Sequence, residues 1–463
     1  MKKGSYDILN AVIIMHNETI AAISTAPGIG AISIVRMSGE EALKILSNFF
    51  KPKDLRPFKS HEIRYGKIFE NDQLIDEVLV SYFQAPKSFT QENMVEINTH
   101  GGHYIAQKVL SLCLNHGARL AENGEFTERA FLNGRIDLTQ AESVLDMIES
   151  RSELSLKLAT QGLSGQIRAF IEKLRADLLQ LIAQIEVNID YPEYDDVNEL
   201  TQSYLIPKTE SIKAEIQTIL DKSVYGQIIR SGIKTAIVGR PNVGKSSLLN
   251  ALINEEKAIV TEIQGTTRDL VEGFINIGGV TLHLIDTAGI RETSDFVEKI
   301  GIEKSKKALQ DAELVLLILD QSEPLTEMDL ELLELTKNKQ RIVILNKDDL
   351  PSKLNQNFED ALLMSVLKKT NLDVLEKRIH GLYLDGKINL DQGIYLSNPR
   401  QVQKLNEALL KIDQALVTAR QSYPVDMIEM DIKSAWEILG EIIGETSDTA
   451  LIDALFSQFC LGK

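Results

Sequence analysis

Short apolar runs separated by polar turns fill the stretch from Ile20 to Thr99. Ile20 to Ser24, Ala31 to Met37, Ile63 to Phe69, Glu77 to Phe83 and Met94 to Thr99 each read as a strand, and Glu41 to Phe50 has helical spacing. From about Leu138 the period changes. Ile167, Ile171, Leu174, Leu178, Leu181 and Ile185 alternate steps of four and three, so they share one helix face that needs a partner. We read that face as intramolecular bundle core in preference to a dimer seam. Tyr191-Pro192-Glu193-Tyr194-Asp195-Asp196 breaks the pattern, which then resumes to about Lys222. Ile233 to Val238, Thr281 to Ile285 and Ile342 to Leu345 are apolar runs that read as strands of a parallel sheet. Gly386 to Ser397 is a linker; Asn398-Pro399 then starts a helix with Pro at its first position, and two more helical segments follow. The helices on either side of the middle segment look like halves of one bundle, which makes that segment an insertion.

Gly239 to Ser246 reads G-R-P-N-V-G-K-S and directly follows the run Ile233 to Val238. A strand that delivers such a loop and a helix that leaves it bring backbone N–H groups and a helix N-terminus onto phosphate oxygens. Ser247 to Ile253 supplies the helix. Asn242, Val243, Gly244, Lys245, Ser246 and Ser247 are therefore candidate phosphate contacts, with Lys245 along the β- and γ-phosphates and the Ser246 hydroxyl on Mg²⁺. Asn346-Lys347-Asp348-Asp349 follows Ile342 to Leu345, at the end of a strand where α/β ligands bind. Asp349 would accept from two donors on a guanine edge, whereas adenine would leave the carboxylate unpaired, so GTP is favoured over ATP. Ser365 sits where a third base-contacting loop belongs, although Val366 and Leu367 depart from the usual S-A-K.

Asp286, Thr287, Ala288 and Gly289 close the run Thr281 to Ile285, placing Asp286 to hold Mg²⁺ through water and Gly289 near the γ-phosphate. The next residue is Ile290, where Ras-like enzymes carry a Gln that orients the attacking water. Some other group must do that work. Glu298 is a candidate, and a solvated loop carboxylate is the competing reading. Gly265-Thr266-Thr267-Arg268-Asp269 falls where the first switch belongs, with Thr267 placed to close on Mg²⁺. The stretch Thr261, Glu262, Ile263, Gln264, Gly265 and Thr266 would fold over the phosphates and turn carbonyls toward a monovalent cation, whose site the Asn242 side chain would complete. Such an ion would stabilise transition-state charge in place of an arginine finger.

Composition narrows the setting. A chain of 463 residues, 43% of them hydrophobic, suggests about three domains with proper cores. Its two cysteines, Cys113 and Cys460, give neither a disulfide framework nor metal spacing, which suits a reducing cytosol. No run approaches the ~18 apolar residues of a membrane span. Lys2-Lys3 and Ile8 to Met15 read as an extension, with Met15 an alternative start. A net charge of −17 argues against a broad nucleic-acid-binding face. Gly28 to Ser33 fails as a dinucleotide fingerprint because Ser33 replaces the third glycine and a strand follows. Thr99-His100-Gly101-Gly102 before an apolar helix is read as a helix cap ahead of an anion seat.

The order of these parts, the G-T-T-R-D and D-T-A-G-I-R-E segments, the run Gly124 to Gly134 and the terminal Phe459-Cys460-Leu461-Gly462-Lys463 resemble the MnmE (TrmE) family of tRNA-modification GTPases. The likeness covers nearly the whole chain after Met15. It implies a cytoplasmic, multidomain α/β plus all-α protein. An α/β folate-binding and dimerisation domain spans 17–133, a discontinuous helical bundle 134–230 and 386–463, and an inserted Ras-like P-loop GTPase domain 231–385. It implies a homodimer that joins the FAD-dependent protein MnmG (GidA), as a heterotetramer, to modify the wobble uridine of certain tRNAs with 5-carboxymethylaminomethyl-type groups. The one-carbon unit would come from 5-formyl-tetrahydrofolate or a related folate. Carried over by position, Asn242, Thr261, Ile263 and Thr266 are the implied K⁺ ligands, Ser246 and Thr267 those of Mg²⁺, and Glu298 with Lys245 the catalytic pair. Arg36, Glu96, Arg135 and Lys463 are the implied folate contacts. Cys460 is read as a small packed residue ahead of a nucleophile, and His100 and His103 as structural ahead of general bases. The rival reading is a ribosome-assembly-type GTPase switch; a third is a folate-binding protein in which GTP is structural.

Overall fold

Strand-length alternation between Ile20 and His100 folds into one sheet because one face of each strand is apolar. The computed structural model describes residues 18–190, 201–254, 273–277, 279–285, 309–383, 393–421, 423–445 and 449–463. By contacts the chain divides into two units, one of 1–145 with 440–463 and one of 146–439. That division differs from the segments read from the sequence: the first unit runs past 133 and takes in the end of the chain.

In the first unit, β1 (Ile20–Ile23), β2 (Ile32–Ser38), β3 (Phe50–Pro52), β4 (Glu62–Glu70), β5 (Gln73–Phe83), β6 (Met94–His100) and β7 (Arg119–Leu120) form a sheet of order β3-β4-β5-β6-β2-β1-β7. Neighbours are antiparallel except β1 and β7. Val35, Met37, Val80 and Ile97 face a core that Ile45 and Leu46 of helix Ala42–Ser47 and Val109 and Leu112 of helix His103–Asn115 complete. The helix expected over Glu41 to Phe50 ends early. Asn48 Nδ2 donates to the carbonyls of Lys44 at 3.1 Å and Ile45 at 3.2 Å, which stops the helix and frees Phe50 to begin β3. His100 is structural: its ring meets the buried Asp76 carboxylate at 2.6 Å and its backbone N–H donates to it at 2.9 Å.

Helix Glu125–Leu132 lies in the same unit, with helix Thr449–Phe456 against it. Glu128 is half-buried there, and its pKa rises from 4.5 to about 7 because burial and the nearby Glu125, Asp453 and Glu122 carboxylates outweigh Arg129. An unfolded Glu releases its proton near the ordinary value, so the native state binds more protons across that window and stability falls as pH rises from 4.5 to about 7. Glu128→Gln is expected to remove this loss. Thermal melts at about pH 5 and about pH 8 should show a drop in the natural chain that the variant lacks; equal drops would contradict it.

In the second unit, the face of Ile167, Ile171, Leu174, Leu178, Leu181 and Ile185 is buried along helix Gln166–Asp190, as its spacing predicts. That helix packs on Ile206–Ser231, which packs in turn on Pro399–Arg420. Asn398 caps the last of these, its side chain accepting from Arg400 N at 2.9 Å. Ile206–Ser231 outruns the expected end near Lys222, and within it Gly226 is a contact point, where a Cβ would lie 2.4 Å from Leu396 O. The Arg175 guanidinium stacks on Trp436 at 4.1 Å. Between these helices in sequence lie β8 (Ile233–Val238), β9 (Gly273–Ile277), β10 (Val280–Leu284), β11 (Leu314–Asp320), β12 (Arg341–Asn346) and β13 (Leu362–Leu363), in sheet order β13-β12-β11-β8-β10-β9. All pairs are parallel except β10 with β9. The loops after β8 and β12 therefore leave the same edge of the sheet. No helix among the described residues is long and apolar enough to cross a membrane.

Candidate functional site

β8 is buried along most of its length and delivers Gly239 to Gly244 directly into helix Lys245–Asn254, one residue pair earlier than the sequence reading placed it. Gly244 has φ +105°, and a Cβ there would sit 2.2 Å from Asn346 Nδ2, so any other residue would push the base loop away. Asn242 also takes a positive φ, 64°, a conformation Asn tolerates, and its side chain is exposed. Lys245 lies across its own loop, its ammonium donating to the carbonyls of Gly239 at 2.6 Å and Arg240 at 2.7 Å. Burial pulls its pKa down from 10.5 to about 8. Ser246 and Ser247 stand exposed in the first turn of the helix.

Asn346 ties the base loop directly to the phosphate loop. Asn346 Nδ2 donates to Val243 O at 2.7 Å, while Asn346 Oδ1 accepts from Val366 N at 3.1 Å. Ser365 Oγ donates to Asp349 Oδ1 at 2.6 Å and accepts from Lys368 N at 3.3 Å. The Ser365 hydroxyl is the main reason that the Asp349 pKa is lowered, so the carboxylate stays an acceptor. The Val366 backbone N–H reaches Asn346 despite the departure from S-A-K. Thr261, Glu262, Ile263, Gln264, Gly265, Thr266, Thr267, Asp286, Thr287, Ala288, Gly289 and Glu298 lie outside the described residues.

The folate candidates gather in the first unit. Arg36 on β2 and Glu96 on β6 are register partners, and Arg36 Nε donates to Glu96 Oε1 at 2.9 Å. The Arg36 guanidinium is flanked by the rings of Phe89 at 5.8 Å and Phe126 at 5.6 Å, and Arg135 stacks on Phe89 at 4.7 Å. The chain's end reaches the same place. Gly462 O accepts from Arg36 at 3.5 Å, Lys463 O accepts from Phe126 N at 3.1 Å, and Leu461 bridges Asn123. Gly462, at φ +87°, passes so close to β1 that a Cβ would lie 2.4 Å from Ile23 O. Cys460 beside it is exposed, so the packed reading of that residue is wrong. Phe89 and Phe126 were missed from sequence; isolated aromatics carry no spacing signal. So was Arg129, 1% exposed, which holds Glu92 at 3.0 Å and Glu125 at 3.2 Å behind them.

A strand-fed phosphate loop clamped to a carboxylate-bearing base loop on one edge of a parallel sheet defines a P-loop GTPase. A family model described as the MnmE helical domain matches residues 138–460, and one described as the GTP-binding protein TrmE N-terminus matches residues 19–135. The tRNA modification GTPase MnmE of Lactococcus lactis subsp. cremoris is 54% identical over 448 residues, 96% of this chain and 98% of that one. That of Enterococcus faecalis is 52% identical over 460 residues, 97% of this chain and 99% of that one. Among solved structures, Era in complex with MgGDPNP and a part of 16S ribosomal RNA is 29% identical, covering 38% of this chain and 65% of that one with a TM-score of 0.25. The G domain of the T. maritima FeoB iron transporter is 25% identical, covering 32% and 96% with a TM-score of 0.23. The chain belongs to the MnmE family of tRNA modification GTPases. That membership sets aside the ribosome-assembly switch and the purely structural role for GTP.

Proposed function

We propose that the chain hydrolyses GTP with Mg²⁺ and K⁺ in the cytoplasm and, with an FAD-dependent partner of the MnmG (GidA) type, modifies the wobble uridine of tRNA using a folate one-carbon unit. The observation that carries the folate half is the Arg36–Glu96 pair, framed by Phe89 and Phe126 and closed by the chain's end, in a unit that holds none of the nucleotide loops. A pterin offers an edge of N–H donors and a flat ring, which suit the Glu96 carboxylate and the two phenyl faces. Folate's carboxylates suit Arg135 and Lys463.

On the nucleotide side, Lys245 would exchange its two carbonyl partners for phosphate oxygens. Ser246 and Thr267 would hold Mg²⁺, and Asn242 would share K⁺ with Thr261, Ile263 and Thr266. Glu298 would position the attacking water, which Ile290 cannot do. A second copy of the chain is favoured by the face of the first sheet that carries Arg36. There Ile32, Ile63, Tyr65 and Leu79 are 59%, 65%, 43% and 46% exposed, an apolar patch of the kind that associates.

Reconstitution tests the reading. The purified chain, the FAD-dependent partner, unmodified tRNA, GTP and 5-formyl-tetrahydrofolate are combined, and the wobble nucleoside is measured by mass spectrometry. Product should require the folate, and Arg36→Ala should lower its rate by on the order of 10-fold or more. Product formed equally without folate, or unaffected by Arg36→Ala, would overturn the folate assignment.

A further inference from the structure

β11 ends in a carboxylate on which both nucleotide loops lean. All seven residues of Leu314–Asp320 are buried, and Asp320 is the single charged one. Its side chain accepts from Ser322 N at 2.9 Å and Ser322 Oγ at 2.7 Å and forms an ion pair with Lys347. Lys347 is the second residue of the base loop and holds a positive φ of 68°, strained for a residue with a side chain. Arg240, the second residue of the phosphate loop, reaches into the same corner from the other side. It lies 2.6 Å from Glu323, 3.3 Å from Asp329 and 4.0 Å from Asp320. Asp329, only 2% exposed, is itself fixed by accepting from Thr326 N at 2.9 Å and Thr326 Oγ1 at 2.8 Å at the start of helix Glu327–Leu335. Burial works against the charge on Asp320, but the hydrogen bonds from Lys347 and Ser322 outweigh it and its pKa is lowered.

We propose that Asp320 is a positioning residue for nucleotide binding, fixing the base loop through Lys347 and, with Glu323 and Asp329, the leading turn of the phosphate loop through Arg240. The inference rests on the reading of these loops as the GTP site and adds a part that no motif contains. Asp320 acts by holding both loops in register before the nucleotide arrives, so that ordering them is not charged to binding. The clamp from Asn346 to Val243 joins the loops directly, and the β11 corner joins them a second time from below. Such a residue should affect affinity for GTP and GDP alike and leave the hydrolytic step nearly untouched.

The test uses the full-length chain, a fluorescent GDP analogue and steady-state hydrolysis. Tight binding by the natural chain establishes the site independently of the inference. Asp320→Asn keeps the shape and the Ser322 contacts but loses the charge. It should raise Kd for GDP and KM for GTP by about 10-fold, with kcat changed less than about threefold. Combined with Arg240→Gln, the loss should be clearly less than the product of the single losses, as expected for one network. If Asp320→Asn does not fold, Arg240→Gln reads the same quantity: GDP binding should weaken several-fold, and Arg240→Lys should restore most of it. Unchanged GDP affinity in whichever variant folds, or a fall in kcat as large as the rise in KM, overturns the inference while the GTP site stands.

Discussion

Asp349→Asn is expected to lower affinity for GTP by on the order of 10³-fold and to create a preference for xanthosine triphosphate, since a site built around one hydrogen-bonding edge rejects the wrong edge steeply. Ser365 Oγ already donates to one carboxylate oxygen at 2.6 Å, which fixes the plane of the group and leaves the rest of its acceptor capacity for the base. Guanine presents two N–H donors there. An amide would meet them with a donor of its own, leaving buried polar groups unpaired on both sides. Xanthine carries a carbonyl in place of guanine's exocyclic amine, and that carbonyl pairs with the amide N–H. Competition between guanosine and xanthosine diphosphates on the purified variant measures the exchange; a variant that still prefers guanosine would remove Asp349 from the base contact.

The other large effect concerns the cation. Asn242→Ala is expected to abolish any advantage of K⁺ over Na⁺ in GTP hydrolysis and to lower kcat in K⁺ by on the order of 10²-fold, the scale of one lost electrostatic stabiliser. Asn242 is open to such an ion: it sits in the phosphate loop at a positive φ of 64°, and its side chain is exposed. On the proposed mechanism the ion supplies the charge stabilisation and Glu298 the water positioning, since Ile290 stands where a water-orienting Gln would be. Hydrolysis by Asn242→Ala at the natural rate in K⁺ would show that the phosphate-loop amide does not serve the transition state.

Local chemistry made much of this molecule readable from its residues. Strands β2 and β6 were legible as short apolar runs, β2 between Gly30 and Gly39 and β6 closed by Gly101, and the heptad-like face of Gln166–Asp190 because a single helix must bury it. The phosphate and base loops were legible as segments because their motifs sit directly behind apolar strands. What failed depended on partners far away in sequence. Phe50 reads as the end of an apolar helix until the carbonyl caps from Asn48 and pairing with β4 are seen. The helix read as running to about Lys222 continues to Ser231 through Gly226, a glycine required where Leu396 O approaches. The return of Gly462 to Arg36 joins positions 426 residues apart, and no periodicity encodes such a contact. Asp320 did carry a signal: a lone carboxylate closing an otherwise apolar strand is costly to bury unless a cation waits for it.

The central claim is that a bound cation stabilises transition-state charge in place of an arginine finger, and the most direct measurement is GTP turnover by the purified, full-length chain in K⁺ and in Na⁺ at equal ionic strength. The account predicts turnover faster in K⁺ by on the order of 10²-fold. Equal rates in the two salts would contradict it.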